Sequence, residues 1–72
     1  MSGVVRIDAR GMKCPWPVMR LSRALRAGAR IVEVIADDPQ APAELGSAAD
    51  AFNATIHVVS DALIPTFIVT CR

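Results

Sequence analysis

Pro15 and Pro17, separated only by Trp16, leave this chain few choices early in its course. Proline has no N–H and is not accepted inside a helix or a central strand. Yet a helical pattern begins at once: Val18, Leu21 and Leu25 recur on one side, with Ser22 and Ala24 small enough to pack beside them. Arg20, Arg23, Arg26 and Arg30 recur on another side. Both prolines then belong in a first turn, where the missing N–H is not needed. The spacing predicts a helix from about Pro15 or Trp16 to Ala27, ended by Gly28. Cys14 is placed on the turn just ahead, because a residue before proline is disfavoured from helical angles.

The remaining elements fall around this one. Val4–Asp8 reads as a strand, with Val5 and Ile7 on one face and Arg6 on the other. Arg10–Lys13 is a turn in which Gly11 supplies the unusual backbone angle. Ile31–Ala36 is a second strand, rich in β-branched residues. Asp38 is expected to cap a second helix with Pro39 at its first position, running to about Asn53 despite Pro42 and Gly46. Thr55–Ser60 and Thr66–Cys71 read as closing strands joined by a hairpin connection over Ser60–Pro65. The order is βαβαββ, an α+β two-layer α/β sandwich with two helices on one face of a four-stranded mixed sheet. Ile31, Ile35, Val59 and Ile68 are expected on the open face, an apolar surface suited to a partner or to weak self-association.

With 72 residues the chain has room for a single domain over 1–72, too small to enclose an elaborate cleft. Hydrophobic residues at 53% and charged residues at 21% exclude a disordered chain. No apolar run is long enough to span a bilayer. The segment Met1–Arg6 lacks the basic flank and apolar stretch of a signal peptide, which points to the cytoplasm. Cysteines there are read as thiols.

The net charge of +1 conceals an asymmetry. From Ala9 to Val32 there is no acid, and that window holds six of the eight basic residues, whereas six of the seven acids lie beyond it. A basic lobe of this kind suits an acidic protein partner, an anionic ligand or nucleic acid, and charge alone does not choose among them.

Cys14 lies between a strand and a helix start, where free N–H groups present positive charge. Its thiol is expected below the ordinary value of about 8.5, with Arg10 and Lys13 favouring the thiolate. The flanking prolines limit its freedom and turn the sulfur outward, and Trp16 between them is read as a partly exposed packing or contact residue. Asp8 is read as a carboxylate that stabilises the Gly11 turn. Cys71 alternates with Phe67 and Val69 and is read as a small core residue. His57 has no second histidine or nearby cysteine, so no metal site is expected, and no cofactor pattern is found.

The run Asp8-Ala9-Arg10-Gly11-Met12-Lys13-Cys14-Pro15-Trp16-Pro17 resembles the signature of the TusA/SirA family, and the likeness continues through Val18-Met19 to Ala36-Asp37-Asp38-Pro39. The family's fold is the βαβαββ order read above. The resemblance implies a sulfur carrier, a sulfurtransferase component rather than a stand-alone enzyme. In it, Cys14 accepts sulfane sulfur as a persulfide from a cysteine desulfurase or rhodanese-like donor. It then relays the sulfur to an acceptor protein serving tRNA thiolation, cofactor synthesis or sulfur oxidation. Arg10, Lys13, Asp8, Gly11, Pro15, Trp16, Pro17 and Arg20 are the residues expected to stabilise the charged sulfur or dock the partners. Nucleic acid is not expected to bind directly. The competing classes are a regulatory or nucleic-acid-binding module using the basic helix and a thiol redox protein, the latter lacking a Cys-x-x-Cys pair.

Overall fold

The computed structural model describes residues 3–59 and 64–71. Its elements are β1 (Val4–Ala9), α1 (Trp16–Arg26), β2 (Ile31–Ala36), α2 (Ala41–Ala51), β3 (Ala54–Val59) and β4 (Thr66–Cys71). The strands form one sheet in the order β1-β2-β4-β3. β1 and β2 are parallel and in register from Val4 opposite Ile31 to Ala9 opposite Ala36. β4 is antiparallel to β2 on one side and to β3 on the other. The expected α+β architecture is therefore the one observed. Of the expected hairpin connection, residues 60–63 lie outside the described residues.

The period of two divides the sheet cleanly. Ile7, Ala9, Val32, Val34, Ala36, Phe67 and Val69 are buried on the helix side. α1 lies against β1 and β2, α2 lies against β3, and the helices touch each other. Leu21 and Leu25 from α1 and Leu45, Ala48 and Ala49 from α2 complete the core. A chain of this size is stabilised by only about 4–11 kcal/mol. Truncating Phe67, which is fully buried, to alanine costs about 3–5 kcal/mol and removes much of that margin.

Helix α1 starts as its prolines require, with Pro15 as N-cap and Pro17 in the first turn. It ends on Gly28 at φ 98°. Gly28 N–H donates to the Leu25 carbonyl and Ala29 N–H to the Ala24 carbonyl, each at 3.1 Å. That pair of bonds closes a Schellman motif, which favours glycine at the left-handed position.

Helix α2 corrects the expected boundaries. It is capped by Gln40 and carries Pro42, not Pro39, in its first turn. Asp38 sits further out and uses its side chain for a turn, accepting the Gln40 N–H at 3.1 Å, while Ala41 N–H donates to the Asp38 carbonyl at 2.9 Å. The helix stops at Ala51, and Asn53 turns the chain with φ 56°. Both acids before Pro39 are thereby free to reach outside the helix.

Ile31, Ile35, Val59 and Ile68 occupy the face away from the helices, as the alternation required. That face is less apolar than expected. Arg6 and Glu33 cross it as an ion pair at 3.2 Å, and His57 and Thr70 on the same face are exposed. Cys71 is half-buried against the core rather than enclosed by it.

Candidate functional site

The site follows from the parallel pairing of β1 and β2. Parallel neighbours end at the same edge of the sheet, so the chain leaving Ala9 and the chain leaving Ala36 emerge side by side. The turn after β1 is closed by Met12 N–H donating to the Ala9 carbonyl at 3.1 Å. Gly11 adopts φ 78°, a region that favours glycine. Its N–H points at the neighbouring turn, donating to both carboxylate oxygens of Asp37 at 3.0 and 3.1 Å. Cys14 N–H donates to Asp38 Oδ2 at 2.6 Å, a short charge-assisted bond. The hydrogen bonds from Gln40 and Cys14 hold the Asp38 carboxyl below its ordinary range against the opposing effect of burial. Two consecutive aspartates of the β2–α2 turn thus hold the loop that carries Cys14.

Around these bonds lies an open cleft of about 460 Å³ lined by Gly11, Lys13, Cys14, Asp37, Asp38 and Gln40. Cys14 is half-buried at its edge, and the Cys14–Pro15 peptide is cis. Pro17 is buried and anchors the helix start, whereas Trp16 is 57% exposed beside the cleft. Arg20 is exposed one turn further along α1.

The expected depression of the Cys14 pKa is not found. The thiol is pushed up, first by desolvation and then by the negative charges of Glu44 and Asp38, with a hydrogen bond to Glu44 acting in the same direction. Beyond this desolvation, two features of the fold work against the expected depression. The helix start offers few free N–H groups, because Pro15 and Pro17 have none and Trp16 N–H is spent on the Lys13 carbonyl at 2.9 Å. Acids that are distant in sequence also act on the cysteine: Glu44 from the first turn of α2 and Asp38 from the turn before it. The lobe carrying Cys14 is therefore not purely basic.

Asp8 and Arg10 are brought together, but with each other. Arg10 Nε and Nη2 donate to the two Asp8 oxygens at 2.8 and 2.7 Å, and Arg10 N–H adds a third bond at 3.2 Å. Asp8 is lowered to about 2, chiefly by the Arg10 side chain and then by its backbone N–H. The guanidinium expected to hold the thiolate is thus occupied by its neighbour. Lys13 lines the cleft, and its charge acts on Asp38.

Sequence reasoning missed Asp37, Asp38 and Glu44 as neighbours of Cys14. A βαβ connection demands parallel strands, and parallel strands place their C-terminal turns together. That topological signal was enough to find the two aspartates. Glu44 needed the true start of α2.

A half-buried thiol thus lies on a clamped turn of a small two-layer α+β protein, at the carboxyl end of a parallel strand pair and beside an open cleft. The model of the family described as sulfurtransferase TusA matches residues 5–70, and the chain belongs to that family. The chain is also similar to the crystal structure of a SirA-like protein from Desulfitobacterium hafniense. The two are 27% identical over 94% of this chain and 99% of the other, with a TM-score of 0.76. No curated protein matches the chain. A sulfur-carrier role is what the family supports. Among the described residues, no helix is long and apolar enough to cross a membrane.

Proposed function

We propose that Cys14 is the sulfur-carrying atom of a cytoplasmic protein-to-protein relay. The observation that supports this reading above others is the placement of Cys14: its backbone is fixed by Asp38 while its sulfur borders an open cleft. A donor protein, a cysteine desulfurase or a rhodanese-like protein, presents a cysteine persulfide. The Cys14 thiol gives its proton to solvent, and the thiolate attacks the outer sulfur of the donor. The sulfur–sulfur bond of the donor breaks, its electron pair leaves with the donor cysteine as a thiolate, and Cys14 holds the transferred sulfur as a persulfide. The exchange is isoelectronic overall and needs no oxidant. A second protein repeats the attack on the Cys14 persulfide and takes the sulfur onward.

In this reading the elevated thiol keeps the resting carrier protonated, and docking supplies the change of environment that frees the thiolate. Gly11, Asp37 and Asp38 hold the loop, Asp8 and Arg10 brace its first turn, and Lys13, Trp16 and Arg20 face the incoming protein. The topology disfavours an internal redox pair. Cys71 ends β4 beside Thr70, which pairs with Ile31 at the start of β2, whereas Cys14 lies beyond the end of β2. A six-residue strand, about 17–20 Å, separates those ends, far beyond disulfide reach.

The test is transfer of radiolabelled sulfane sulfur from a cysteine desulfurase charged with labelled cysteine. Label that appears on the chain and is released by a thiol reductant is expected, with none on Cys14→Ser. A chain that takes no label from any desulfurase or rhodanese-like donor contradicts the reading.

A further inference from the structure

A second groove, of about 560 Å³, runs between α1 and the outer edge of the sheet. Val5 of β1 and Trp16, Met19 and Ala24 of α1 form its apolar walls, with Arg20 and Arg23 along its rim. Val5, Trp16 and Met19 are 39%, 57% and 52% exposed, which concentrates apolar surface on one side of the molecule. Arg20 and Arg23 form no salt bridge among the described residues.

The edge beside this groove is also unfilled. β1 is the outermost strand and pairs only with β2. Among the described residues, the backbone groups of Val4–Asp8 that point outward from the sheet have no backbone partner. An unpaired edge is a template for a further strand, and a groove alongside it takes alternate side chains of that strand. Two unpaired arginines at the rim select the charge of what enters. Lysine-rich or neutral segments gain nothing there, whereas carboxylates do.

We propose that this groove binds an extended segment of an acidic partner protein, which adds to the sheet along β1 and sets aliphatic side chains against Val5, Trp16 and Met19 with carboxylates on Arg20 and Arg23. Trp16 is separated from Cys14 only by Pro15, so the same segment positions its protein at the cleft. The inference deepens the carrier reading by naming the chemistry of the docking partner, and its test uses no sulfur.

Trp16 is the single tryptophan of the chain and reports directly on the groove. The probe is the peptide Thr-Leu-Thr-Glu-Thr-Leu-Thr-Glu, whose leucines and glutamates share one face of a strand, with the same peptide carrying lysine for glutamate as control. The acidic peptide is expected to shift Trp16 emission to the blue and to slow amide exchange in β1. Affinity is expected to fall as salt rises and to drop roughly tenfold in Arg20→Glu/Arg23→Glu. If that variant does not fold, Arg20→Gln/Arg23→Gln keeps the sign of the effect at a smaller size. Four outcomes each overturn the proposal: no emission shift with the acidic peptide, equal binding of the lysine control, binding that leaves β1 exchange unchanged, or an emission shift produced by raising the chain's own concentration, which would mean a second copy fills the groove. Tighter binding of a single-stranded RNA of similar length also overturns it. Failure here with sulfur transfer intact leaves Cys14 as the carrier, and the reverse result separates the two readings equally well.

Discussion

The two ends of the sheet carry one cysteine each, and the contrast between them shows how a fold gives two like residues different surroundings. Cys14 follows the parallel pair on an irregular turn. Its backbone N–H is bound by the Asp38 carboxylate at 2.6 Å, and its sulfur borders a cleft. Cys71 ends a central strand, its N–H bound by the Arg30 carbonyl at 2.7 Å and its side chain packed against the core. Both are half-buried, so exposure does not distinguish them. The difference lies in what surrounds each: side-chain charges and a loop on one side, ladder hydrogen bonds and apolar packing on the other. What sets Cys14 apart is its position at the carboxyl end of parallel strands, where turns meet and backbone groups are not committed to the ladder.

The largest expected effect breaks the contrast outright. Cys14→Ser is expected to abolish sulfur relay to an acceptor, whereas Cys71→Ser retains the wild-type rate within about twofold, since it changes only a partly buried packing position. Comparable losses in the two variants, measured in a coupled assay, would erase the distinction. The aspartate clamp comes next. Asp38→Ala removes the acceptor for Cys14 N–H and Gln40 N–H together, and stability should fall with it. Thermal unfolding checks the loss, and faster amide exchange confined to the Cys14 loop and the β2–α2 turn distinguishes loosening of the site from general weakening.

A smaller and more specific effect is expected at Glu44. Its negative charge raises the Cys14 thiol, so Glu44→Gln should lower the thiol titration and speed iodoacetamide alkylation of Cys14 at neutral pH. An unchanged titration, followed by thiolate absorbance, would show that the carboxylate does not act on the sulfur. The smallest effect belongs to Asp8. Its carboxyl lies at about 2 in the folded chain against an ordinary 3.8. The stability it contributes is therefore fully present above the ordinary value and is lost as pH falls through the folded value. Asp8→Asn should flatten the acid limb of a Tm-versus-pH curve in that interval and lower Tm at neutral pH by the same amount, a small one because the ion pair is exposed and screened.

Much of this fold is legible because strong local signals agree. Two prolines force the start of α1, Gly28 ends it, and Ile31–Ala36 is too β-branched to be anything but a strand. The start of α2 was misplaced because two Pro-containing starts compete within four residues, and Asp38 before Pro39 imitates a cap. Only the tertiary environment shows that its carboxylate is already engaged with Cys14. The choice of Cys14 as the candidate rests on the flanking Pro15 and Pro17, the helix start and the motif they belong to, all legible in the sequence. Its electrostatics were not, since a basic window in sequence says nothing about Asp37, Asp38 and Glu44 arriving from the next βα unit. Arg10 failed for a related reason: Asp8, two residues away, takes it in a bidentate pair.

The central claim is that one sulfur atom of this chain, and only that one, carries cargo. Intact-mass spectrometry with peptide mapping, after incubation with a persulfide donor, reads this directly. An addition of about 32 Da, removable by reductant and confined to the peptide that holds Cys14, is expected. The same addition mapping to Cys71, or surviving in Cys14→Ser, would contradict it.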